Sequence, residues 1–369
     1  MTREEEFSRL EINLRACVDN YRYFRSRIQS STKLLVLVKA NAYGHGAVEF
    51  ASIMQNAGAD YLAVATPLEG MELRKAGISM PVLVLTAGTD YFPELISSRL
   101  EPGIPNMESL RILCDTLEEK GLKDFPVHIK LDTGMHRLGF MKSELAELLD
   151  FLKDNRQVKV KSVYSHLSVA DEPDKDEFTL AQIRMFTEGA DAITSALGYR
   201  PVRHILNSAG IQRFPQYQFD MVRLGVGVYG ISAVPGVKLS PAASLKCKIL
   251  QIKRLKEGDG AIGYGRHGSI APEGTVIATI PVGYADGIDR HLGCGRASFS
   301  LNGHRVPTIG NICMDMCMLD ITGVQASVGD TVTIFGEDPT VSELASLLGT
   351  IPYEIMTSVP RRIPRVIVK

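Results

Sequence analysis

The chain has 369 residues, which is enough for one large domain and a smaller second one. Its residues are 45% hydrophobic and 22% charged, a balance typical of globular proteins. The formal net charge at pH 7 is -1, and acidic and basic residues are interspersed along the chain. The sequence therefore has no basic stripe that would indicate nucleic-acid binding.

The segment Met1–Glu6 is too polar to begin a secretory signal, and no apolar run is long enough to cross a bilayer. We therefore expect a cytoplasmic protein without a membrane contact. The chain has six cysteines, none in a Cys-x-x-Cys pair. Cys313 and Cys317 lack two further ligands at zinc spacing, so we expect reduced thiols and no metal.

Short apolar runs recur between residues 34 and 230, and most are apolar at nearly every position. This pattern is typical of parallel strands covered on both faces. Eight strands are predicted, of which the fourth is interrupted by prolines: Leu34–Ala40, Tyr61–Thr66, Pro81–Thr86, Leu100–Asn106, Val127–Thr133, Val160–Ser168, Val202–Ser208 and Met221–Gly230. Helical spacing appears between them, as in Met107–Gly121, Ser143–Asn155 and Thr179–Leu197.

Eight strand–helix units favour an α/β protein with a closed (β/α)8 barrel of the TIM type over an open doubly wound sheet. No strand is followed by Gly-x-Gly-x-x-Gly, the dinucleotide fingerprint of an open sheet. We place this barrel domain at residues 1–235 and leave open whether about the first 10 residues pair with the second domain.

After Pro235 the pattern changes to strands joined by glycine-rich turns, which predicts a mostly β domain at residues 236–369. Two short helices and a final strand are expected at its end. The other predicted strands are Ser244–Lys256, Gly274–Gly283, Arg296–Val306, Ile312–Ile321 and Asp330–Phe335.

Active sites of such barrels lie where the strands end at their carboxyl side. The first predicted strand ends in Lys39. Burial there would lower the pKa of the amine and make it competent to form a Schiff base. The pattern alone gives equal weight to a lysine that extends from the strand end into solvent.

The segment Val38–Gly46 reads Val-Lys-Ala-Asn-Ala-Tyr-Gly-His-Gly and resembles the signature of alanine racemases around their cofactor lysine. Similarity continues from about Leu10 to the C-terminus. The resemblance implies pyridoxal 5'-phosphate (PLP) on Lys39, interconversion of L- and D-alanine, and supply of D-alanine for peptidoglycan. It also implies a (β/α)8 barrel followed by a β domain, the arrangement predicted above from the residue pattern.

The resemblance assigns further residues to the cofactor ring. Arg137 is expected to contact the phenolic oxygen of PLP and the substrate. The lysine that matches Lys130 is carbamylated in some family members, where the carbamate orients the arginine, and whether Lys130 is modified stays open. His166 is expected beside the ring, although an isolated strand histidine is more often structural.

Arg223 is expected, by the same resemblance, to face the pyridine nitrogen, where many PLP enzymes place an acidic residue. A guanidinium stays charged, so it donates a hydrogen bond and disfavours ring protonation. The ring is then a weaker electron sink, which favours simple reprotonation at Cα over transamination. His204 would orient Arg223 from the side that faces away from the cofactor.

Barrels often bind phosphate at the loops after their last two strands. The seventh and eighth predicted strands deliver Ser208, Gly225 and Val226, which offer a hydroxyl and backbone N–H groups, although glycines also serve in simple turns. With the residues added by the resemblance, the expected contacts to the cofactor phosphate and its surroundings are Tyr43, Asn207, Ser208, Gly225, Val226 and Tyr353.

Racemisation removes a proton from one face of Cα and delivers one to the other, which requires two opposed groups. Lys39 is one of them, and the segment Ala261–Arg266 resembles the family segment that bears a catalytic tyrosine, here Tyr264. In the family this tyrosine reaches the PLP of the opposite subunit, which implies a homodimer with composite sites. The resemblance further assigns substrate contacts to Tyr284, Met314 and Asp315.

Other functions compete with this interpretation. A racemase for serine or a broader set of amino acids has the same fold, and a serine hydroxyl is discriminated only about 100-fold by a site of this size. A decarboxylase of this barrel type is disfavoured by Arg223, and a PLP carrier without catalysis is disfavoured by the segment around Tyr264. A sugar-phosphate enzyme that uses Lys39 would lack a yellow cofactor.

Overall fold

The computed structural model describes residues 7–368, and eight parallel strands form the first half of it. Each strand hydrogen-bonds to the next in the order β8-β7-β6-β5-β4-β3-β2-β9. The ends of this sheet meet where the amide of Arg223 donates to the carbonyl of Leu206 at 2.9 Å. The strands are β2 (Lys33–Leu37), β3 (Tyr61–Val64), β4 (Val82–Val84), β5 (Glu101–Ile104), β6 (Phe125–Lys130), β7 (Val158–Tyr164), β8 (Val202–His204) and β9 (Met221–Leu224).

Helices connect these strands, as a parallel sheet requires. Their apolar faces cover the outside of the barrel, so that strands such as β3 and β9 are buried at every residue. The helices are α1 (Leu14–Ser26), α2 (Lys39–Tyr43), α3 (Ala47–Asn56), α4 (Pro67–Lys75), α5 (Phe92–Ser97), α6 (Met107–Glu119), α7 (Leu145–Asp154), α8 (Asp176–Leu197) and α9 (Ser208–Arg213).

The predicted barrel of eight strand–helix units is confirmed, but most of its strands end earlier than the apolar pattern suggests. The first was expected to reach Ala40 and ends at Leu37, and the seventh was expected to reach Ser208 and ends at His204. In both cases the chain leaves the sheet at its carboxyl end, which frees the following residues to line the barrel mouth.

The remaining strands form two antiparallel or mixed sheets, which confirms the mostly β second half. One has the order β14-β13-β16-β10-β1-β17 and the other β11-β12-β15. Two short helices and a last strand close the chain as expected: α10 (Val341–Leu348), α11 (Pro352–Ser358) and β17 (Arg365–Val368). The other strands are β1 (Ser8–Asn13), β10 (Ala243–Lys248), β11 (Gln251–Leu255), β12 (Thr275–Ile280), β13 (Ser298–Leu301), β14 (His304–Pro307), β15 (Cys317–Asp320) and β16 (Thr331–Phe335).

Two strand predictions in this half are wrong. Ser244–Lys256 is two strands, because the chain passes from one sheet to the other between Lys248 and Gln251. Arg296–Val306 is a hairpin that turns at Asn302 and Gly303, both with positive φ. An Asn-Gly pair is the strongest short-range signal for such a turn.

Strand β1 precedes the barrel in the chain but lies in the sheet of the second half. Leu10 pairs with Leu245 of β10 on one side and with Arg365 of β17 on the other. Residues 1–6 lie outside the described part of the chain, and the domain boundary at residue 235 stays a prediction.

Helix α1 supports the loop after the last barrel strand through one close contact. The ring of Phe24 is fully buried against Gly227, where an added Cβ would lie 2.3 Å from Cζ of the ring. The backbone of Gly227 is not in the left-handed region, so its conformation does not require a glycine. The close packing of Phe24 does.

The Gly227→Ala variant should lower the free energy of unfolding by about 1–3 kcal/mol, the range for overpacked cores. Urea unfolding at fixed protein concentration measures the loss. When Phe24→Leu is added, the double variant should lose less free energy of unfolding than the two single variants lose together, by about 0.5–3 kcal/mol. Strict additivity would show that the Phe24 ring is not what excludes the methyl group.

Candidate active site

The carboxyl ends of the barrel strands surround a cavity of about 850 Å³. It brings together most of the site residues predicted from the sequence, although they come from six separate segments of the chain. The predicted residues that line it are Lys39, Tyr43, Lys130, Arg137, His166, Asn207, Ser208, Arg223, Gly225, Val226 and Tyr353.

Lys39 begins a left-handed turn, α2, directly after the first barrel strand. The four residues that follow it, Ala40 to Tyr43, have φ between 51° and 55°. A left-handed residue other than glycine costs roughly 1–2 kcal/mol, so this turn requires compensating contacts. Glu69 accepts from the amide of Ala40 at 2.6 Å, and the Asn41 side chain accepts from the amide of Ala47 at 2.9 Å.

The amine of Lys39 is half-buried in the cavity wall. Burial, and next the positive charge of Arg137, lowers the pKa of this amine below its ordinary value. Both effects increase the fraction of uncharged amine, the form that acts as nucleophile or base.

Arg223 is buried at the end of the last barrel strand, and acceptors from the two preceding strand ends surround its guanidinium. One terminal nitrogen donates to Nδ1 and to the carbonyl of His204, at 3.0 and 3.2 Å. The other donates to the carbonyls of Ser165 and Ile205 and to Nδ1 of His166, at 2.6, 3.0 and 3.1 Å. None of residues 7–368 accepts a hydrogen bond from its Nε–H.

Burial lowers the pKa of Arg223 to about 10, which still leaves the guanidinium charged at neutral pH. Burial, and next the charge of Arg223, holds the pKa of His166 and His204 well below the ordinary value, so both imidazoles are neutral. Nδ1 of each ring can then accept from the guanidinium, as the observed contacts require.

Lys130 and Arg137 add positive charge on the other side of the cavity. Burial, followed by the charges of Arg137 and Arg223, lowers the pKa of Lys130 to about 8. About a tenth of the Lys130 amine is therefore uncharged at pH 7.

The loop after the last strand and the start of α9 form a small cradle. Oγ of Ser208 accepts from the amides of Gly225 and Gly227 at 2.9 and 3.2 Å. An added Cβ on Gly225 would lie 3.2 Å from the hydroxyl of Tyr43 and fill this space. Asn207 caps α9 by accepting from the amide of Gly210 at 2.9 Å, which fixes the position of Ser208.

Tyr43 and Tyr353 close the cavity above the cradle, with ring centroids 5.8 Å apart. Burial raises the pKa of both hydroxyls, that of Tyr353 to about 12, so both are protonated donors at neutral pH. The serine hydroxyl and the two tyrosine hydroxyls together form a donor set suited to a phosphate.

Four predicted residues do not reach this cavity: Tyr264, Tyr284, Met314 and Asp315 lie on the surface of the second half. Tyr264 is 72% exposed, Met314 55% and Tyr284 45%. Their segments are joined, since the amide of Tyr284 donates to the carbonyl of Cys313 and the Asn311 side chain donates to the carbonyl of Tyr264.

With Met316, these side chains form an exposed apolar surface, which we call the tyrosine–methionine patch (Tyr264, Tyr284, Met314 and Met316). Asp315 lies beside it and accepts from Arg362 at 2.7 Å. Exposed apolar side chains that lie close together on a protein surface indicate an interaction site.

Tyr164 is a cavity residue that the sequence did not point to. Its ring stacks on His204 with centroids 5.1 Å apart, and its hydroxyl fills the space that a Cβ on Gly103 would occupy. Tyr164 follows Ser162 by two residues on β7, so both side chains lie on the same face of the strand. The alternation of a strand is therefore the sequence signal that could have indicated Tyr164.

Two further findings concern metal-ligand clusters and membrane-spanning helices. Within residues 7–368, no three histidine, cysteine, aspartate or glutamate side chains cluster in a way that could hold a metal ion. None of the helices in that range combines the length and the apolar character that crossing a membrane requires.

Comparisons with known proteins agree along the whole chain. The family model for the alanine racemase N-terminal domain matches residues 12–233, and that for the C-terminal domain matches residues 242–367. An alanine racemase from Synechocystis is 38% identical over 372 residues, which covers 97% of this chain and 98% of the relative.

Solved structures give the same result. Alanine racemase from Clostridium difficile 630 has a TM-score of 0.90 at 32% identity and covers 98% of this chain and 96% of its own. The Bacillus anthracis alanine racemase with bound L-Ala-P has a TM-score of 0.90 at 31% identity, covering 99% and 95%. The chain therefore belongs to the alanine racemase family of isomerases.

Proposed function

We propose that this protein interconverts L- and D-alanine with PLP held by Lys39, and that Tyr264 of a partner subunit completes each site. The observation that carries the proposal is one cavity in which a low-pKa amine, a buried guanidinium and a donor-lined cradle converge. The names of the relatives support alanine as the substrate, as does the L-Ala-P in the Bacillus anthracis structure.

The residues present fit PLP. When bound, PLP would supply an electron sink that makes the Cα proton of the amino acid removable. The cradle of Ser208, Gly225 and Tyr43 has donors and space for its phosphate. The Nε–H of Arg223, which has no acceptor among residues 7–368, is available to donate to a ring nitrogen.

Lys39 acts in this proposal as the base on one face of the substrate. Its lowered pKa keeps part of the amine uncharged, and the compensated left-handed turn holds it at the barrel mouth. Arg223 stays charged and only donates, which disfavours protonation of a ring nitrogen and restricts the chemistry to proton transfer at Cα. His166 and Arg137 line the same wall.

The opposite face requires a second base, and Tyr264 lies outside the cavity of its own chain. The tyrosine–methionine patch resolves this difficulty if a second copy docks with its patch over the barrel mouth. Burying the patch supplies apolar area for association, and closing the mouth excludes water from the reaction. Tyr284, Met314 and Asp315 would then reach the substrate from the partner subunit.

We also propose that the enzyme works in the cytoplasm and supplies D-alanine for peptidoglycan. The six cysteines of the chain are free in the structure, and the buried ones among them have a pKa raised by burial, which suits a reducing compartment.

Proton transfer at Cα tests the two bases together. In deuterated water, L-alanine should become D-alanine that carries deuterium at Cα. Lys39→Arg and Tyr264→Phe should each slow this conversion by about 10²- to 10⁴-fold, the contribution of a positioned base. Chiral chromatography and mass spectrometry measure inversion and deuterium in one sample.

Matched controls are Lys33→Arg, at the other end of the same strand, and Tyr91→Phe, an exposed tyrosine on the barrel; both should keep full activity. Bound PLP without exchange of the alanine Cα proton in the unmodified protein would overturn the substrate assignment.

A heterodimer with one Lys39→Ala chain and one Tyr264→Phe chain tests the shared site. It should keep about half the activity of the unmodified dimer, because one of two symmetric sites still holds both bases. Separate affinity tags allow its purification. A heterodimer with both substitutions on one chain is the control and should be inactive; the reverse pattern would mean that Tyr264 serves its own subunit.

Lys130 should react with CO2 to form a carbamate, releasing one proton. Its pKa of about 8 leaves some free amine at neutral pH, and a carbamate would place negative charge where the positive charges of Arg137 and Arg223 act. Protein equilibrated with ¹³C-bicarbonate should show a carbamate signal by NMR that Lys130→Met removes and Lys161→Met, at an exposed site, retains. If the spectrum of Lys130→Met is the same as that of the unmodified protein, Lys130 does not carry a carbamate and the prediction is wrong.

A further inference from the structure

Behind Arg223, a row of polar side chains crosses the interior of the barrel. His204 Nε2 lies 2.8 Å from Oγ of Ser162, and the same Oγ lies 2.6 Å from Nδ1 of His128. Nε2 of His128 lies 2.8 Å from a carboxylate oxygen of Glu101. With the contact of Arg223 to His204, these bonds form one unbroken chain of five side chains.

We propose that Glu101, His128 and Ser162 are positioning residues for the reaction, because this chain fixes the tautomer of His204 and thereby the orientation and charge of Arg223. The inference rests on the proposed function of Arg223 in the site. It assigns a role to residues that do not touch the cavity.

The direction of every bond in the chain follows from its first donor. The guanidinium of Arg223 can only donate, so Nδ1 of His204 accepts and Nε2 of the neutral ring carries the proton. Nε2–H then donates to Ser162, whose hydroxyl donates to Nδ1 of His128. The remaining N–H of His128 donates to Glu101, which as a carboxylate only accepts. All four bonds point from the cation to the anion.

The residues meet because each lies on a neighbouring strand of the closed barrel. Glu101 begins β5, and His128, Ser162 and His204 lie on β6, β7 and β8. His128 is directly paired with Ser162 in the sheet register. Their side chains therefore project into the barrel interior, a region normally filled by branched apolar residues.

Burial makes the chain an all-or-none arrangement. His128, Ser162 and His204 are at most 1% exposed, so a missing bond would leave an unsatisfied polar group in the core. The opposite end is anchored: the Tyr61 hydroxyl also donates to Glu101 at 3.2 Å. Although burial raises the pKa of Glu101, the hydrogen bond from His128, the nearby charge of Lys161 and the hydrogen bond from Tyr61 outweigh it and hold this pKa below its ordinary value.

Consecutive hydrogen bonds of one direction polarise each other, so the carboxylate at one end supports the charge of the buried guanidinium at the other. Without the Ser162 hydroxyl, the Nε2 proton of His204 loses its acceptor. The ring can then carry its proton on Nδ1, where it faces the N–H of Arg223. Arg223 would lose an acceptor and part of its fixed orientation.

Histidine NMR tests the chain without reference to activity. With ¹⁵N-histidine, His128 and His204 in the unmodified protein should both appear as Nε2–H tautomers with slowly exchanging protons; His128→Asn and His204→Asn assign the signals. In Ser162→Ala, His204 should become a mixture of tautomers. Thr179→Val is the matched control, a buried hydroxyl without a partner among residues 7–368, and should leave both signals unchanged.

Kinetics test the functional part. Ser162→Ala should lower kcat for alanine racemisation about 10- to 100-fold with little change in KM, the size of effect seen for outer partners of site residues. Ser162→Thr, which keeps the hydroxyl, should restore both the tautomer and kcat. Glu101→Gln, which keeps an acceptor but removes the charge, should retain the Nε2–H tautomer and lower kcat less than Ser162→Ala.

The outcomes separate the two proposals. An unmodified protein that binds PLP but does not racemise alanine would refute the proposed function, whatever the histidine spectra show. An active protein in which Ser162→Ala leaves the His204 tautomer unchanged, or changes it without affecting kcat, would refute the positioning role of the chain alone.

Discussion

The candidate active site is organised around one constraint, the burial of the Arg223 guanidinium. A buried charge is tolerated only when acceptors surround it, and the acceptors here are two imidazoles and three carbonyls from the segments after β7 and β8. These bonds bind the ends of three barrel strands to one side chain. The geometry of the barrel mouth therefore follows from the need to satisfy this cation.

The same charge shapes the ionisation of its neighbours. His166 and His204 are kept neutral by burial and by Arg223, and the pKa of Lys130 is lowered by burial, by Arg137 and by Arg223. Lys39 responds mainly to burial and next to Arg137. A cluster of positive groups in a buried pocket thus raises the uncharged fraction of both amines, which favours proton transfer.

The two halves of the chain contribute in different ways. The barrel holds its groups rigidly: a strained left-handed turn at Lys39 is compensated by Glu69 and Asn41, and Gly227 is packed against Phe24. The second half instead presents the tyrosine–methionine patch on its surface. Its exposed tyrosines and methionines lie outside the barrel cavity, as the proposed docking of a second copy requires.

The sequence by itself determined the barrel, because strands covered on both faces must be apolar at nearly every residue, and it placed Lys39 at the end of the first strand. It also assigned residues to the site, including some that lie on the patch and not in the cavity. Only the tertiary structure decided that Glu101, His128, Ser162 and His204 form one chain. Periodicity shows which face of a strand a residue occupies, whereas hydrogen bonding depends on strand register and barrel closure, which no local pattern encodes.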